Sequence, residues 1–239
     1  MKQLQKVTGI ALVVVAMTAS VLAAGNSSNV MISADRMTYD GTTGRAEVHG
    51  NVVITKDDKT MTGADGWYDV HQEEASLTGG VSLIGDTMSM VADSLHSRHQ
   101  TELEATGNVH LQKDNRQVFG DSVIYHTDTA YGIVSGNGRL VVDDATLTAD
   151  YIEGWLNEIR AEANGSVTLS SPSRHMSATA DSATYTQTPG QDDGIAYLTG
   201  NARAIQQGNV LNAPALKLAM KDNSAETVGG RSTLIIAPR

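Results

Sequence analysis

The chain has 239 residues and a mass of 25.2 kDa, enough for one or two domains with a sizeable core. It contains no Cys, which excludes a disulfide scaffold, a Cys-ligated zinc or iron–sulfur centre and a thiol enzyme. Acidic residues number 27 against 17 basic, a formal net charge of -10, which argues against a surface built to face nucleic-acid phosphates.

The first element in the chain is an address. Lys2 and Lys6 precede an apolar run, Ile10 to Met17, and Val21-Leu22-Ala23 and Leu22-Ala23-Ala24 are small-residue cleavage patterns. Residues 1–24 therefore read as a secretory signal peptide cut after Ala23 or Ala24, with an uncleaved anchor as the alternative. Cleavage leaves 15 basic and 27 acidic residues, a mature net charge of -12. Residues 25–239 read as a single domain, because no linker or composition shift divides them.

That domain is a repeat. Gly50, Gly79, Gly107, Gly136, Gly165, Gly200 and Gly229 recur at spacings of 29, 28, 29, 29, 35 and 29. A second mark keeps phase with them: Ala34-Asp35, Ala64-Asp65, Ala92-Asp93, Gly120-Asp121, Ala149-Asp150 and Ala180-Asp181. A fixed period in this range signals stacked units of one supersecondary type. Within each unit apolar residues alternate with polar ones, as in Ala46/Val48 before the glycine and Val52/Ile54 after it. Period 2 means strands with one apolar face. Gly-Asn pairs supply the positive φ or the bends between them. One unit is then four short strand segments or two longer bent ones. The segment Tyr151 to Ala163 comes nearest to a helical pattern, and its phase in the repeat assigns it to strand. The insert Gln187 to Gly194 explains the 35-residue spacing and reads as a protruding loop. Pro214 stands where the last unit should carry Asp, and Thr233 to Ala237 reads as a final strand. The first strand is expected near Val30 to Met37, with open sheet edges at both ends.

Candidate chemistry is thin. The periodic aspartates read as structural acceptors of backbone N–H groups at turns. Asp57-Asp58 and Asp143-Asp144 read as solvated turn residues. His96, His99 and His110 do not converge at metal-ligand spacing in strands, so no metal site is assigned. No phosphate loop, nucleotide fingerprint or serine elbow occurs, and no catalytic residue is assigned. A β-helix carbohydrate enzyme would need clustered carboxylates in an aromatic-lined cleft, and aromatics are only 4% of the chain.

The pattern Ala-Asp-x-Met-x-Tyr-Asp … Ala-x-Val-x-Gly-Asn-Val-x-Ile, spanning Ala34 to Ile54, resembles the OstA-like family of lipopolysaccharide transport proteins. LptA, LptC and the N-terminal part of LptD are its members, and the likeness runs from about Ser33 to Ile236. The resemblance implies an all-β fold: an elongated, V-shaped, twisted β-jellyroll of two antiparallel sheets with an apolar groove between them. It also implies a periplasmic location and no catalysis or cofactor. The implied partners are lipopolysaccharide, through its lipid A acyl chains, and other jellyroll components stacked through terminal edge strands, including head-to-tail copies of the chain.

On that reading the groove candidates are Met37, Val48, Val52, Ile54, Leu77, Val81, Leu83, Leu95, Val109, Leu111, Val123, Val134, Leu140, Ile152, Val167 and Leu169. Arg36, Arg45 and Lys56 are rim candidates for lipid A phosphates. The mature charge opposes binding led by phosphate and favours binding led by acyl chains. Two alternatives stay open on sequence: a membrane-anchored LptC-like adaptor of the same pathway, and a secreted structural β-repeat protein that binds no lipid.

Overall fold

The computed structural model describes residues 31–238, apart from 57, 58, 70, 87, 100, 114, 115, 127, 192 and 223. Residues 1–24, expected from the sequence to be a signal peptide, lie outside the described residues. Sixteen strands occur among them, in chain order. β1 (Met31–Ser33) and β2 (Arg36–Asp40) are short, and so are β15 (Ser224–Val228) and β16 (Thr233–Ile235). Between them run β3 (Arg45–Lys56), β4 (Lys59–Asp69), β5 (Glu74–Ile84), β6 (Met88–Arg98), β7 (Glu102–Lys113) and β8 (Arg116–His126). β9 (Tyr131–Val142), β10 (Ala145–Trp155), β11 (Arg160–Ser171), β12 (Met176–Thr186), β13 (Ile195–Gln206) and β14 (Asn209–Ala219) follow. The only helical element described is a single 3-10 turn, Pro172–Arg174. The segment 151–163 is strand, turn and strand, as the repeat phase requires. The repeat unit is therefore two long strands of 11 and 12 residues, not four short ones.

The chain forms two compact units that divide between Gly136 and Asn137, within β9. In the N-terminal unit the ladder order is β1-β3-β4-β5-β6-β7-β8-β9, with β2 also on β3. In the C-terminal unit it is β9-β10-β11-β12-β13-β14-β15, with β16 also on β14. Every described pairing is antiparallel, between chain neighbours except for β1 with β3 and β14 with β16, and the ladder does not close. Hydrogen bonding thus makes a continuous ladder in each unit, where the sequence reading expected separate sheets.

Each long strand is interrupted near its middle. On β3 the register jumps from His49↔Asp65 to Val52↔Gly63, so two residues of β3 oppose one of β4. The same slip recurs between β7 and β8 and between β13 and β14. These are β-bulges, which bend a strand and increase its twist. The two residues are the repeat's Gly-Asn pair. Gly50 and Asn51 have φ of 76° and 47°, and Gly200 and Asn201 have 78° and 49°. Gly takes that conformation without cost, and Asn tolerates it better than most residues.

The repeat aspartate faces this bulge, not a turn. A Cβ on Gly50 would lie 2.5 Å from Asp35 Oδ2, and Gly107, Gly136, Gly165 and Gly200 are covered in the same way by Asp93, Asp121, Asp150 and Asp181. Asn51 Nδ2 donates to Asp35 Oδ2 at 2.8 Å, and Asn201 Nδ2 donates to Asp181 Oδ2 at 2.9 Å. The acceptors of backbone N–H groups at turns are other carboxylates, Asp40, Asp69 and Asp193. The turn N–H of Thr42, above all, holds the Asp40 carboxyl below its ordinary value.

One repeat mark is out of register. The irregular residue of β4 opposite Gly79 is Ala64, whose Cβ touches the place a Cβ on Gly79 would take. Asp65 sits one position further on, where its Oδ1 accepts from His49 Nδ1 at 2.9 Å. Alternation after it shifts by one. Gly66 and Tyr68 therefore align with the inward Leu77 and Ala75, while Trp67 takes the outer face beside Arg45 and His96.

Candidate functional site

The inner face is the candidate site, and its composition follows from strand alternation. Fifteen of the sixteen groove candidates are buried, from Val134 and Ile152 at 0% exposure to Val48 and Ile54 at 6%. Cross-strand register brings them into rows, for example Leu77↔Leu95 and Val81↔Ala92 between β5 and β6. Full burial of such a side chain contributes about 1.5–3 kcal/mol, so this face is the main source of each unit's stability. Met37 differs. It pairs with Val48 on the inner side, yet it is 49% exposed, because among the described residues no further strand covers the β2 edge.

Several inner residues lie outside the sequence-based candidates. Met61, Met90 and Val118 are almost fully buried on the even-numbered strands, upstream of the bulge. Their signal was alternation counted backwards from the repeat aspartate: Met90 and Ala92 before Asp93, Val118 and Gly120 before Asp121. Leu103, Leu198, Leu216 and Leu218 are also buried on this face.

In the C-terminal unit the lining is smaller. Ala161, Ala163, Ala178, Ala180, Ala196, Ala202, Ala204 and Ala213 are all buried inward. Here two cavities lie within the unit. The larger is about 510 Å³ and is lined by Met176, Ala204, Leu211, Leu218, Met220 and Leu234, with Gln206, Gln207 and Asn209 among its polar lining residues. The smaller is about 40 Å³, room for little more than one water. Ala161, Ala163, Val167 and Leu169 of β11 all line it, from both sides of that strand's bulge.

The rim candidates behave unequally. Arg36 is exposed on β2. Arg45 is engaged, with Nε 3.3 Å from Glu47 Oε1 and its guanidinium 4.3 Å from the Trp67 ring centroid. Lys56 is the last residue of β3, and its side chain is outside the described part.

The outer face carries the remaining polar groups. Arg98 bridges Glu102 at 2.6 Å and Glu104 at 3.0 Å, and Glu102 above all holds its guanidinium above the ordinary value. Phe119, the only Phe of the chain, is here and not in the core, stacked on His110 at 4.2 Å. His96, His99 and His110 do not meet, and no metal-ligating group of three occurs among the described residues. Asp144 is not merely solvated: Ser173 N–H donates to its Oδ2 at 2.6 Å. Asp57-Asp58 lie outside the described residues. The tyrosines Tyr68 and Tyr125 titrate above their ordinary value, chiefly because burial disfavours the phenolate.

Comparison with known proteins follows from this architecture. The sequence model of the family described as LptA/(LptD N-terminal domain) LPS transport protein matches residues 89–224, more than half of the chain. No curated protein matches. Among solved structures the chain is similar to LptH from Pseudomonas aeruginosa, described as the LptA homologous periplasmic component of the conserved lipopolysaccharide transport device. The two are 11% identical, with 88% of this chain and 96% of that chain covered and a TM-score of 0.19. By the family match, the chain belongs to the lipopolysaccharide transport proteins formed by LptA and the N-terminal domain of LptD, which are not enzymes.

Proposed function

We propose that the chain binds lipopolysaccharide in the periplasm and passes it toward the outer membrane, with acyl chains held between two facing layers of bent strands. The observation that carries this reading is the apolar inner face that each unit buries, with Val48 to Val134 in one and Leu140 to Leu218 in the other, inside a member of a lipopolysaccharide transport family. Each acyl CH₂ removed from water is worth roughly 0.8 kcal/mol. A chain of about a dozen carbons then gains on the order of 10 kcal/mol before ordering costs. No catalytic group is required.

The two ends support a bridge. The first strand is split into β1 and β2 on either side of Ala34-Asp35, and the last into β15 and β16 on either side of Gly229-Gly230. Among the described residues both ends present a backbone edge without a partner strand, together with exposed Met31, Ile32, Met37, Leu234 and Ile235. Such an edge pairs readily with another strand. The phase also fits: the ladder starts on an even strand of the repeat and ends on an odd one. Continuing the β13–β14 register into a second copy sets Thr227 opposite Met37, Ala225 opposite Tyr39 and Leu234 opposite Ile32.

Native mass spectrometry of the mature protein, purified in mild detergent from the envelope of an outer-membrane-bearing host, tests the carrier reading. A co-purifying species of lipid A mass is expected, and it should be lost in Ile54→Asp or Leu111→Asp protein that keeps its β-sheet circular dichroism. Protein that stays lipid-free even after incubation with excess lipopolysaccharide would refute the reading.

A further inference from the structure

The C-terminal unit contains a feature that the repeat does not require. Met220 stands just after β14 and lines both the cavity of about 510 Å³ and the seam of about 40 Å³. The residue is 6% exposed. Its backbone and side chain are held from two directions. Met220 N–H donates to the carbonyl of Gly194 at 2.9 Å, and Arg174 Nη1 lies 3.7 Å from Met220 Sδ.

Gly194 closes the insert that breaks the 29-residue spacing, so the insert is anchored on this methionine. Its other anchor is Tyr185, another residue lining the seam. Tyr185 Oη donates to Gln187 Oε1 at 2.6 Å, and Gln187 Nε2 donates to the Gln191 carbonyl. Thr188 N–H donates to Asp193 Oδ1 at 2.9 Å. Gly194 packs so tightly on the Tyr185 ring that a Cβ there would overlap the hydroxyl. Of its two repeat equivalents in the N-terminal unit, Tyr39 is exposed on the β2 edge, and Tyr125 is buried like Tyr185 but followed by a short connection with no such insert.

We propose that Met220 is a gate between the C-terminal chamber and the alanine-lined seam, and that the contacts of Gln187 with Tyr185 and of Gly194 with Met220 are the latch that holds it shut. This rests on the carrier reading above. A thioether on an unbranched stem changes rotamer with little strain, which suits a side chain that must yield to a passing alkyl chain. The chamber has room for an acyl terminus, whereas the seam in this closed form does not. Passage requires Met220 to swing and the walls to part. The hydrogen bonds to Gly194 and from Tyr185 to Gln187 set the resistance. Alanines 161, 163, 183 and 196 give the seam short walls that can separate without repacking large side chains.

The test is the rate at which the full mature chain takes up 11-(dansylamino)undecanoic acid, followed by stopped-flow fluorescence. Met220→Ala removes the gate. Gly194→Ala displaces Tyr185 without a positive-φ penalty, since Gly194 is not among the left-handed glycines. Gly194→Ala should load about five- to tenfold faster than wild type, the effect of losing about one hydrogen bond from Tyr185 to Gln187, and Met220→Ala, which keeps its backbone bond to Gly194 but lacks the side chain that must swing, should load about fivefold faster or more. Met220→Trp should load at least as much slower. Thermal unfolding of each variant establishes that it is folded. Rates within twofold of wild type in all three folded variants would overturn the gate while leaving the carrier reading intact. A wild-type chain that takes up no probe at any concentration below its micellar limit would overturn both.

Discussion

Gly165 in β11 offers a direct test of how the repeat is held in phase. Its φ is +79°, and the Cβ, Cγ and Oδ2 of Asp150 crowd the point where a Cβ would stand. Gly165→Ala therefore carries two separate costs. An L-residue in the left-handed region costs roughly 1–2 kcal/mol. Forcing Asp150 aside adds about 1–3 kcal/mol of overpacking. The steric cost vanishes if Asp150 is replaced by Gly, because the nearest crowding atoms include its own Cβ at 2.9 Å. The conformational cost does not vanish. A double-mutant cycle of Gly165→Ala with Asp150→Gly should then give a favourable coupling of about 1–3 kcal/mol, leaving about 1–2 kcal/mol unrecovered. Urea unfolding followed by tryptophan fluorescence is the assay. The chain has two Trp, and Trp155 lies on β10, the strand that carries Asp150, so Trp67→Phe protein isolates the C-terminal unit's signal. Equal destabilisation by Gly165→Ala in the wild-type and Asp150→Gly backgrounds would refute the steric part of the argument. Full recovery would refute the conformational part.

Two further outcomes follow from the edges and from the turns. Thr38→Pro in β2 or Leu234→Asp in β16 should lower the sedimentation-average mass of concentrated wild-type protein toward the monomer, with the β-sheet spectrum unchanged; an unchanged mass in both variants would count against end-to-end stacking. The Asp144 carboxyl lies below its ordinary value, chiefly because Ser173 donates to it. A depressed folded value means that its stabilising effect is present above the unfolded value of about 3.9 and is lost as pH falls through the folded one. The gap in urea midpoint between wild type and Asp144→Asn should therefore be constant near neutrality and shrink below about pH 4; a gap that persists at pH 2.5 would show that the ionised carboxylate is not what matters.

The rim and the interior assign different roles to charge and to greasiness. Arg45 is committed to Glu47 and Trp67, and Arg98 to Glu102 and Glu104, so these two cations are already matched. An anionic chain with these cations so engaged has little to attract lipid phosphates over a distance, and exposed pairs of this kind contribute little individually. On the proposed carrier reading, affinity comes from the interior. That interior is well filled in the N-terminal unit, where Val, Leu and Met alternate with Ala, and thinner in the C-terminal unit, where alanines dominate. The same repeat thus supplies a unit lined largely by Val, Leu and Met and a unit lined largely by Ala, with cavities of about 510 and 40 Å³ in the latter.

The strand content, the one-sided apolar pattern and the existence of open ends were legible in the sequence. All three are local properties: alternation sets which face is apolar, and glycine followed by Asn sets where the backbone turns left-handed. Fifteen of the sixteen inner-face assignments rest on parity alone, and parity survives folding because register slips would bury polar side chains. What parity could not decide was anything that depends on which strand lies across. The aspartates looked like turn residues because they recur beside polar text, yet they cap a bulge on the neighbouring strand, a pairing some 15 residues away for Asp35 and Gly50. Ala64-Asp65 kept the letters of the repeat while moving one position in register, which sent Trp67 outside and Gly66 and Tyr68 into the inward rows. Met37 was placed on the correct face but not in a covered place, because exposure depends on whether another strand follows. The insert at 187–194 was read as a loop, and only the folded chain shows it tied to Tyr185 and Met220. Sequence patterning fixes what each residue would present; the tertiary structure decides what it meets, because contact distances between strands are set by register and bulges that no single strand encodes.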